Sequence, residues 1–366
     1  MTHERELKGW LQLSLVPGLG AATLRRLLAE FGLPENVVAA DRRLLRPHLP
    51  PSVIESLDSP EVMQAVDRAL AWAREAQHAI VTIADSTYPK RLLETPDPPL
   101  LLYCIGRVTL LDRPSLAIVG SRNATPTGIQ NAEQFARALS EAGLAIVSGL
   151  ALGIDAAAHR GGLAGSGSTI AVFGTGIDRI YPRQNQALAE RIAESGLLVS
   201  EFALQTPSRR ENFPRRNRVI SGLAQGCLVV EAALASGSLI TARSAADQGR
   251  EVFAIPGSIH SPLAKGCHAL IKAGAKLVET ADDVLCELNT YRSQAGVDSR
   301  SVPKPEGRPQ RDDSPLLAHL DFDPVEIDSL CARSGLAAQQ VSAELLRLEL
   351  AGIVATLPGG RYQRLR

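Results

Sequence analysis

The chain has 366 residues, of which 45% are hydrophobic and 21% charged, a balance typical of a globular protein with two or three domains. The charges of its 39 basic and 39 acidic residues cancel, so binding of a polyanion requires locally concentrated positive charge. The aromatic content of 4% disfavours a continuous surface for base stacking. The five cysteines form no C-x-x-C pair, so we expect no disulfide framework. The polar N-terminus disfavours a secretion signal, and the lack of a long apolar run disfavours a membrane partner. We therefore expect a cytoplasmic protein.

Residues 1–73 are predicted to form a small helical domain of the helix-hairpin-helix or SAM-like type. The run Val16-Pro17-Gly18-Leu19-Gly20 separates the first two helices, and its glycines would let N–H groups at a helix N-terminus face a phosphate. A helix–helix turn without a ligand explains the same residues equally well. The predicted helices span residues 7–15, 21–31, 35–40 and 60–73.

Residues 74–112 are predicted to be a connecting segment, to which the sequence assigns no chemistry. Residues 79–83 have the composition of a strand. The run Pro96-Asp97-Pro98-Pro99 is a break before a second apolar stretch at 100–104.

From residue 114 onward, apolar runs alternate with segments of helical periodicity. Runs that are apolar throughout are typical of strands buried on both faces, and their alternation with helices predicts a parallel sheet with right-handed crossovers. The predicted fold class is α/β, with a doubly wound, mostly parallel Rossmann-like sheet at 74–289 and its core at 114–289. The predicted strands span 115–119, 144–147, 169–173, 197–200, 227–230, 251–255 and 276–278; the helices span 128–142, 154–163, 184–195, 216–223, 238–248, 267–273 and 281–288.

Residues 290–314 are predicted to be a flexible linker, because they lose periodicity and fill with Ser, Pro, Arg, Gly and Asp. Residues 315–366 predict a winged-helix domain, with helices at 323–334 and 338–350 and a hairpin after them. The charges of the second helix, Glu344, Arg347 and Glu349, nearly cancel. DNA binding and protein–protein contact therefore remain equally supported for this domain.

Glycines follow several predicted strands at the edge where an open parallel sheet binds its ligands. Small residues there let a ligand approach the backbone, and the helix N-termini that follow supply N–H donors and a positive dipole end. We therefore expect a phosphate-bearing anion at this edge. The glycines are Gly120, Gly149, Gly174, Gly176 and Gly257.

Polar residues accompany two of these turns. Ser121 and Arg122 follow Gly120, and an arginine can hold a phosphate through two hydrogen bonds, although a salt-bridged surface arginine is the alternative. Asp155 and His159 lie on one face of the helix that follows Gly149. For this histidine a structural role is favoured over a ligand or a base.

The segment 209–218 holds the densest positive charge in the chain, with five arginines against one glutamate and with Phe213 among them. Arginine contacts to phosphates, combined with stacking of a base on Phe213, suit single-stranded nucleic acid. A solvated basic loop is the alternative interpretation, and it is less favoured because the rest of the chain is neutral.

Several catalytic and cofactor motifs are missing from the sequence. It contains no G-x-x-x-x-G-K-[ST], no H-E-x-x-H and no G-x-S-x-G, and Gly174-Thr175-Gly176 lacks the third glycine of the dinucleotide fingerprint. The adjacent Cys267 and His268 diverge on a helix and do not make a zinc site. We expect no cofactor, no metal and no catalytic residue.

Five segments resemble the DNA-processing protein A family, also called DprA or Smf. They fall within residues 80–290, and the flanking helical and winged-helix regions fit the three-part layout of the family. The segments read AIVGSR at 117–122, VSGLALGIDAAAH at 147–159, NFPRRNRVI at 212–220, SGS with TA within 236–242, and VFAIPG at 252–257.

The resemblance implies a non-enzymatic protein that binds single-stranded DNA without sequence preference. It also implies loading of RecA on incoming DNA during natural transformation, and a homodimer formed through the Rossmann-like domain. Arg122, Arg216 and Arg218 would then hold phosphates with Phe213 beside a base, whereas His268 stands where many relatives have Asn. The full set of expected DNA-binding residues is Gly120, Ser121, Arg122, Ser148, Gly149, Gly153, Gly174, Gly176, Phe213, Arg215, Arg216, Asn217, Arg218, Ser236, Gly237, Ser238, Thr241, Gly257 and Lys265.

Two other interpretations stay open. The predicted fold also resembles that of the nucleotide-ribose-cleaving, lysine-decarboxylase-like family, in which Glu231, followed by Ser236-Gly237-Ser238, would assist glycosidic cleavage. The missing P-G-G-x-G-T-x-x-E order counts against this interpretation. Pairing of Glu231 with an arginine of the basic segment is the favoured alternative. In the third interpretation the central domain is only a scaffold for its two flanking domains.

Overall fold

The computed structural model of the protein describes residues 2–288, 314–320, 322–357 and 359–365. The predicted linker, Ser314 apart, lies outside the described residues. Within the described ranges, no helix is both long and apolar enough to cross a membrane.

Six helices form the N-terminal part and share one apolar core. Leu11, Leu27 and Leu57 are fully buried in this core, which continues to Tyr103 and Phe173 of the central domain. The N-terminal helices therefore pack directly against the central sheet. All four predicted helices are present, and two short ones were missed. The helices are α1 (Thr2–Leu15), α2 (Ala21–Phe31), α3 (Pro34–Ala39), α4 (Arg42–Leu45), α5 (Pro51–Ser56) and α6 (Pro60–Ala73).

A nine-stranded sheet forms the centre of the protein, in the order β1-β2-β6-β5-β4-β3-β7-β8-β9. The seven strands from β3 to β9 run parallel, as predicted, and they are the doubly wound α/β core. The strands are β1 (His78–Thr82), β2 (Leu101–Gly106), β3 (Ser115–Val119), β4 (Ala145–Ser148), β5 (Thr169–Val172), β6 (Leu197–Ser200), β7 (Gly226–Val229), β8 (Glu251–Ala254) and β9 (Lys276–Leu277).

The segment predicted as a connection contributes two strands to this sheet. β2 pairs antiparallel with β6, and β1 pairs antiparallel with β2. The apolar stretches in this segment were recognised, but their antiparallel addition to one edge of the sheet depends on long-range pairing that local patterns do not reveal.

Helices cover both faces of the sheet. Leu116, Ala117 and Ile118 of β3 are fully buried, as expected for a strand with helices on either side. From β3 the sheet continues through β4 on one side and through β7 on the other, so the order in which strands are added reverses at β3. An open α/β sheet binds ligands beyond the carboxyl ends of the strands at such a switch point. The helices are α7 (Lys90–Leu93), α8 (Pro126–Glu141), α9 (Ile154–Ala164), α10 (Gln186–Ser195), α11 (Asn212–Leu223), α12 (Ser238–Asp247), α13 (Lys265–Lys272) and α14 (Ala281–Glu287).

The C-terminal part is a winged helix, as predicted. Its three strands pair in the order β10-β12-β11 beside two helices, and Gly335 ends the first helix in the left-handed conformation. The second helix buries Leu345 and Leu348 but exposes Leu346 and Leu350. The elements are β10 (Val325–Glu326), α15 (Ile327–Ser334), α16 (Ala338–Leu350), β11 (Val354–Leu357) and β12 (Arg361–Arg364).

Candidate nucleic-acid interface

A cleft of about 430 Å³ lies at the carboxyl ends of β3, β4 and β7, at the switch point of the sheet. We call it the first cleft. Its walls come from the turn after β3, the start of α11 and the start of α12. The expected residues that line it are Gly120, Arg122, Phe213, Arg216, Asn217, Ser236, Gly237, Ser238 and Thr241.

The N-terminus of α12 opens into the first cleft through Ser236, Gly237 and Ser238. The two serine hydroxyls lie 2.7 Å apart, and among the described residues, its chain neighbours apart, nothing lies within 4 Å of a side-chain carbon placed on Gly237. Open space, hydroxyl groups and the positive end of a ten-residue helix form a site suited to a phosphate.

Aromatic rings lie beside the first cleft: Phe213 lines it, and Tyr181 lines a small neighbouring pocket together with Phe213 and Arg122. The guanidinium of exposed Arg122 lies 5.5 Å from the centre of the Phe213 ring, and the Tyr181 ring lies 5.8 Å from the same ring at an angle of 46°. Tyr181 is 48% exposed, so its face is accessible to a planar ligand. The sequence prediction missed Tyr181, although an aromatic residue soon after the glycine turn at Gly174 would have been a signal for it.

Arg216 forms the floor of the first cleft and is only 5% exposed. Its Nη1 donates hydrogen bonds of 2.6 Å to the carbonyl oxygens of Gly149 and Val172. Burial lowers the pKa of Arg216 to about 10, an effect that the nearby carboxylate of Asp155 opposes. Arg216 therefore joins the ends of β4 and β5 and keeps its positive charge beneath the cleft.

The basic segment is a loop only at its beginning. From Asn212 onward it forms α11, and this helix distributes its arginines to different sides. Arg215 and Arg218 line another cavity on the far side of α11, where Arg218 pairs with Glu201 and Asp97. The sequence predicted this helix from residue 216, four residues later than it begins, and it did not predict that the 100° between successive helical residues sends Arg215 and Arg216 to different clefts.

Asp155 and His159 hold the glycine turn after β4. Asp155 accepts hydrogen bonds from the N–H groups of Gly149 (3.1 Å) and Ala151 (3.3 Å), while burial raises its pKa. The Nε2 atom of His159 accepts a hydrogen bond from the N–H of Leu150 at 3.2 Å. Burial lowers the pKa of His159 to about 3, so the ring is neutral. This histidine has the structural role that the sequence favoured.

Protein atoms occupy the space beside the glycines at the strand ends, where a side chain would otherwise lie. A side-chain carbon at Gly120 would lie 2.6 Å from Ile154, and at Gly176 2.6 Å from the carbonyl oxygen of Ala203. The corresponding neighbours are the Arg216 guanidinium at Gly149, the Phe213 ring at Gly174 and Ala264 at Gly257. These positions are therefore small because neighbouring protein atoms pack against them, and of the five glycines Gly120 alone also lines the first cleft.

The remaining expected residues support the first cleft or lie apart from it. Ser148 is buried and donates a hydrogen bond to the carbonyl oxygen of Ile118, and Gly153 has a φ of 75° that brings it against Ser121. Lys265 is exposed at the start of α13 and does not line the first cleft. On the same helix, His268 Nε2 lies 3.0 Å from the carbonyl oxygen of Gly257.

Glu231, the residue that an enzymatic interpretation requires, is engaged elsewhere. Its carboxylate accepts hydrogen bonds from the N–H of Thr125 at 2.9 Å and from its hydroxyl at 2.6 Å, at the start of α8. It does not line the first cleft. Its expected pairing with an arginine of the basic segment was also wrong, because helix capping takes both carboxylate oxygens.

Comparison with protein-family models gives two matches. Residues 79–289 match the model described as DNA recombination-mediator protein A, and residues 301–360 match the model described as DprA winged helix domain. The first match includes every residue of the first cleft.

Individual relatives agree with these matches. The chain is 42% identical over 316 residues to "Protein Smf" of Escherichia coli K12, covering 83% of this chain and 82% of that protein. It is 48% identical over 206 residues to "DNA processing protein DprA" of Streptococcus pneumoniae R6, covering 56% and 73% of the two chains.

Two solved structures are also similar. The X-ray structure of DNA processing protein A from Streptococcus pneumoniae aligns with a TM-score of 0.66 and 39% identity over 76% of this chain and 95% of that one. A structure of DNA processing protein A from Helicobacter pylori, described as revealing a single-stranded DNA binding mode, aligns with a TM-score of 0.53 and 32% identity over 57% and 95% of the two chains.

Proposed function

This chain belongs to the DNA recombination-mediator protein A family, and we propose that it binds single-stranded DNA in the first cleft. The observation that carries the proposal is the pairing, across one cleft, of an open helix N-terminus at Gly237 with an exposed arginine beside an aromatic ring. The first feature suits a phosphate and the second suits an unpaired base. A strand with flexible, unstacked bases offers both groups at once.

The geometry suggests how the strand is held. A phosphate lies at the N-terminus of α12, near the hydroxyls of Ser236 and Ser238, and a base stacks on the exposed ring of Tyr181, beside Phe213. Arg122 lies at the mouth and supplies a charge to the backbone. Contacts to phosphates and to the face of a base carry little sequence information, so binding is non-specific.

The wider role is part of the same proposal. The name "DNA processing protein" of two relatives and the single-stranded DNA binding described for the Helicobacter pylori protein support a role in processing incoming DNA during natural transformation. The proposal also includes a cytoplasmic location, loading of RecA, formation of a homodimer and the absence of catalysis, in agreement with the family resemblance.

Charge insertion at Gly237 tests the proposal. This glycine has a φ of −62° and open space around it, so Gly237→Glu is tolerated by the backbone and places a carboxylate at the phosphate site. The matched control is Ala246→Glu, which adds the same charge at an exposed position near the other end of α12.

Affinity for single- and double-stranded DNA of one sequence is measured by fluorescence anisotropy. We expect the wild type and Ala246→Glu to prefer the single strand, and Gly237→Glu to lose about tenfold or more in affinity. Equal affinities of Gly237→Glu and its control would remove the first cleft from the DNA-binding surface.

A further inference from the structure

A second cleft of about 340 Å³ lies on the other side of α11, between the N-terminal helices and the central sheet. It is lined by Gly20 before α2, Leu24 of α2, Tyr103 of β2, Glu201 after β6 and Arg215 of α11. None of these residues lines the first cleft. The second cleft includes the glycine run that the sequence left open between a phosphate site and a plain turn.

One wall of the second cleft suits an anion. Gly20 is the N-cap of the eleven-residue helix α2 and has no side chain to cap it, and in the part of the chain that the structure describes nothing but its sequence neighbours lies within 4 Å of a carbon placed on it. On the facing wall, the exposed Arg215 has its guanidinium 5.5 Å from the centre of the Phe202 ring. The ring restrains this long side chain and so lowers the entropy cost of holding a phosphate.

The other wall offers a buried hydrogen-bond acceptor. The Glu201 side chain is 7% exposed, and its Oε2 accepts a hydrogen bond from Arg218. Across the described part of the chain, Oε1 of Glu201 has no hydrogen-bond partner. A buried acceptor left without a donor is unfavourable, and an N–H group of a ligand that reached this side chain would satisfy it. Nucleobases carry such groups on their edges.

We propose that the second cleft binds a further nucleotide of the same single strand, with its phosphate between Gly20 and Arg215 and a base N–H at Glu201. Arg215 and Arg216 are consecutive on α11 and line the second and the first cleft respectively. A strand that crosses α11 therefore occupies both clefts. The proposal rests on the single-stranded DNA binding proposed for the first cleft.

Gly20→Glu tests the second cleft alone. The backbone at Gly20 has a φ of −75°, which any residue adopts, and the added carboxylate enters open space beside the anion wall. Ala29→Glu is the matched control, because it adds the same charge at an exposed position near the other end of α2. Thermal melts of both variants confirm that they are folded.

Affinity is measured for oligothymidylates of about 5 and about 20 nucleotides, of which the short one fits one cleft. We expect the longer strand to bind the wild type and Ala29→Glu more tightly than the short one does. Gly20→Glu should lose about tenfold in affinity for the longer strand and bind the short one normally. Gly237→Glu should weaken both.

Three results overturn the proposal. The first is a Gly20→Glu variant that binds the longer strand as tightly as the wild type. The second is an equal loss in Ala29→Glu, which would indicate a general charge effect. In both cases the first cleft keeps its role as long as Gly237→Glu weakens binding. The third is a wild type that binds neither oligonucleotide, and this result overturns the proposed function as well.

Discussion

Replacing Arg216 by Met separates a structural role of this residue from a role as a phosphate ligand. Met has a similar length but no charge, and Arg216 is 5% exposed with two hydrogen bonds of 2.6 Å to backbone carbonyls. Hydrogen bonds from a charged donor each contribute about 1.5–3 kcal/mol, and the substitution also removes the positive charge that opposes the rise in the pKa of buried Asp155. We therefore expect the free energy of unfolding to fall by about 3–6 kcal/mol when both hydrogen bonds are lost.

Urea denaturation followed by circular dichroism measures this loss, and Arg122→Met is the matched comparison. Arg122 is exposed, so its replacement should change the free energy of unfolding by less than about 0.5 kcal/mol while it weakens binding of single-stranded DNA. Adding Asp155→Asn to Arg216→Met should restore part of the stability. A structural role of Arg216 is refuted if Arg216→Met is as stable as Arg122→Met and loses affinity for single-stranded DNA to the same extent.

Three further predictions follow from the same structure. Tyr181→Leu should weaken binding of single-stranded DNA by about 1–2 kcal/mol through lost stacking, and an equal loss with an abasic strand would show that stacking is not the cause. His159 has its pKa lowered by burial from 6.5 to about 3, so below pH 6.5 the unfolded chain takes up a proton that the folded protein excludes. The wild type should therefore lose about 1.4 kcal/mol of stability per pH unit between about pH 6 and 4 relative to His159→Gln, and parallel stability curves would contradict this. Glu231→Gln should leave DNA affinity unchanged, because Glu231 bonds to Thr125 at the start of α8. If the protein released free base from nucleoside monophosphates and Glu231→Gln abolished this release, the enzymatic interpretation would be supported instead.

The sequence predicts the central fold well because its signals are local. Each strand of the parallel core is an apolar run followed by a turn and a helical segment, so the order of elements and their burial follow from the pattern. The sequence did not predict that β1 and β2 extend this sheet at one edge, because the antiparallel pairing of β2 with β6 joins residues almost a hundred positions apart.

The candidate site was predicted only in its general position. The carboxyl edge of the sheet, Arg122 and the α12 turn at Gly237 are where the sequence placed them. The burial of Arg216 beneath that edge was not foreseen, because it depends on how α11 packs on the ends of β4 and β5. The same packing explains Gly149 and Gly174, which are small to make room for Arg216 and Phe213.

The N-terminal glycine run shows a different limit of sequence analysis. Gly18 and Gly20 alone are equally consistent with a turn and with a phosphate site. The structure adds Arg215 and Glu201, which line the second cleft together with Gly20 although they are distant from it in the sequence, and among the described residues Oε1 of Glu201 has no hydrogen-bond partner. A site formed between two parts of a protein has no local signature in either of them.

The salt dependence of DNA binding tests the central claim most directly, namely that the first cleft holds the phosphates of a single strand. Each phosphate contact contributes about −0.7 to the slope of log affinity against log salt concentration. We predict a clearly negative slope for the wild type, and for Arg122→Ala a slope that is shallower by about 0.7. A wild-type slope near zero, or the same slope for both proteins, would contradict the account.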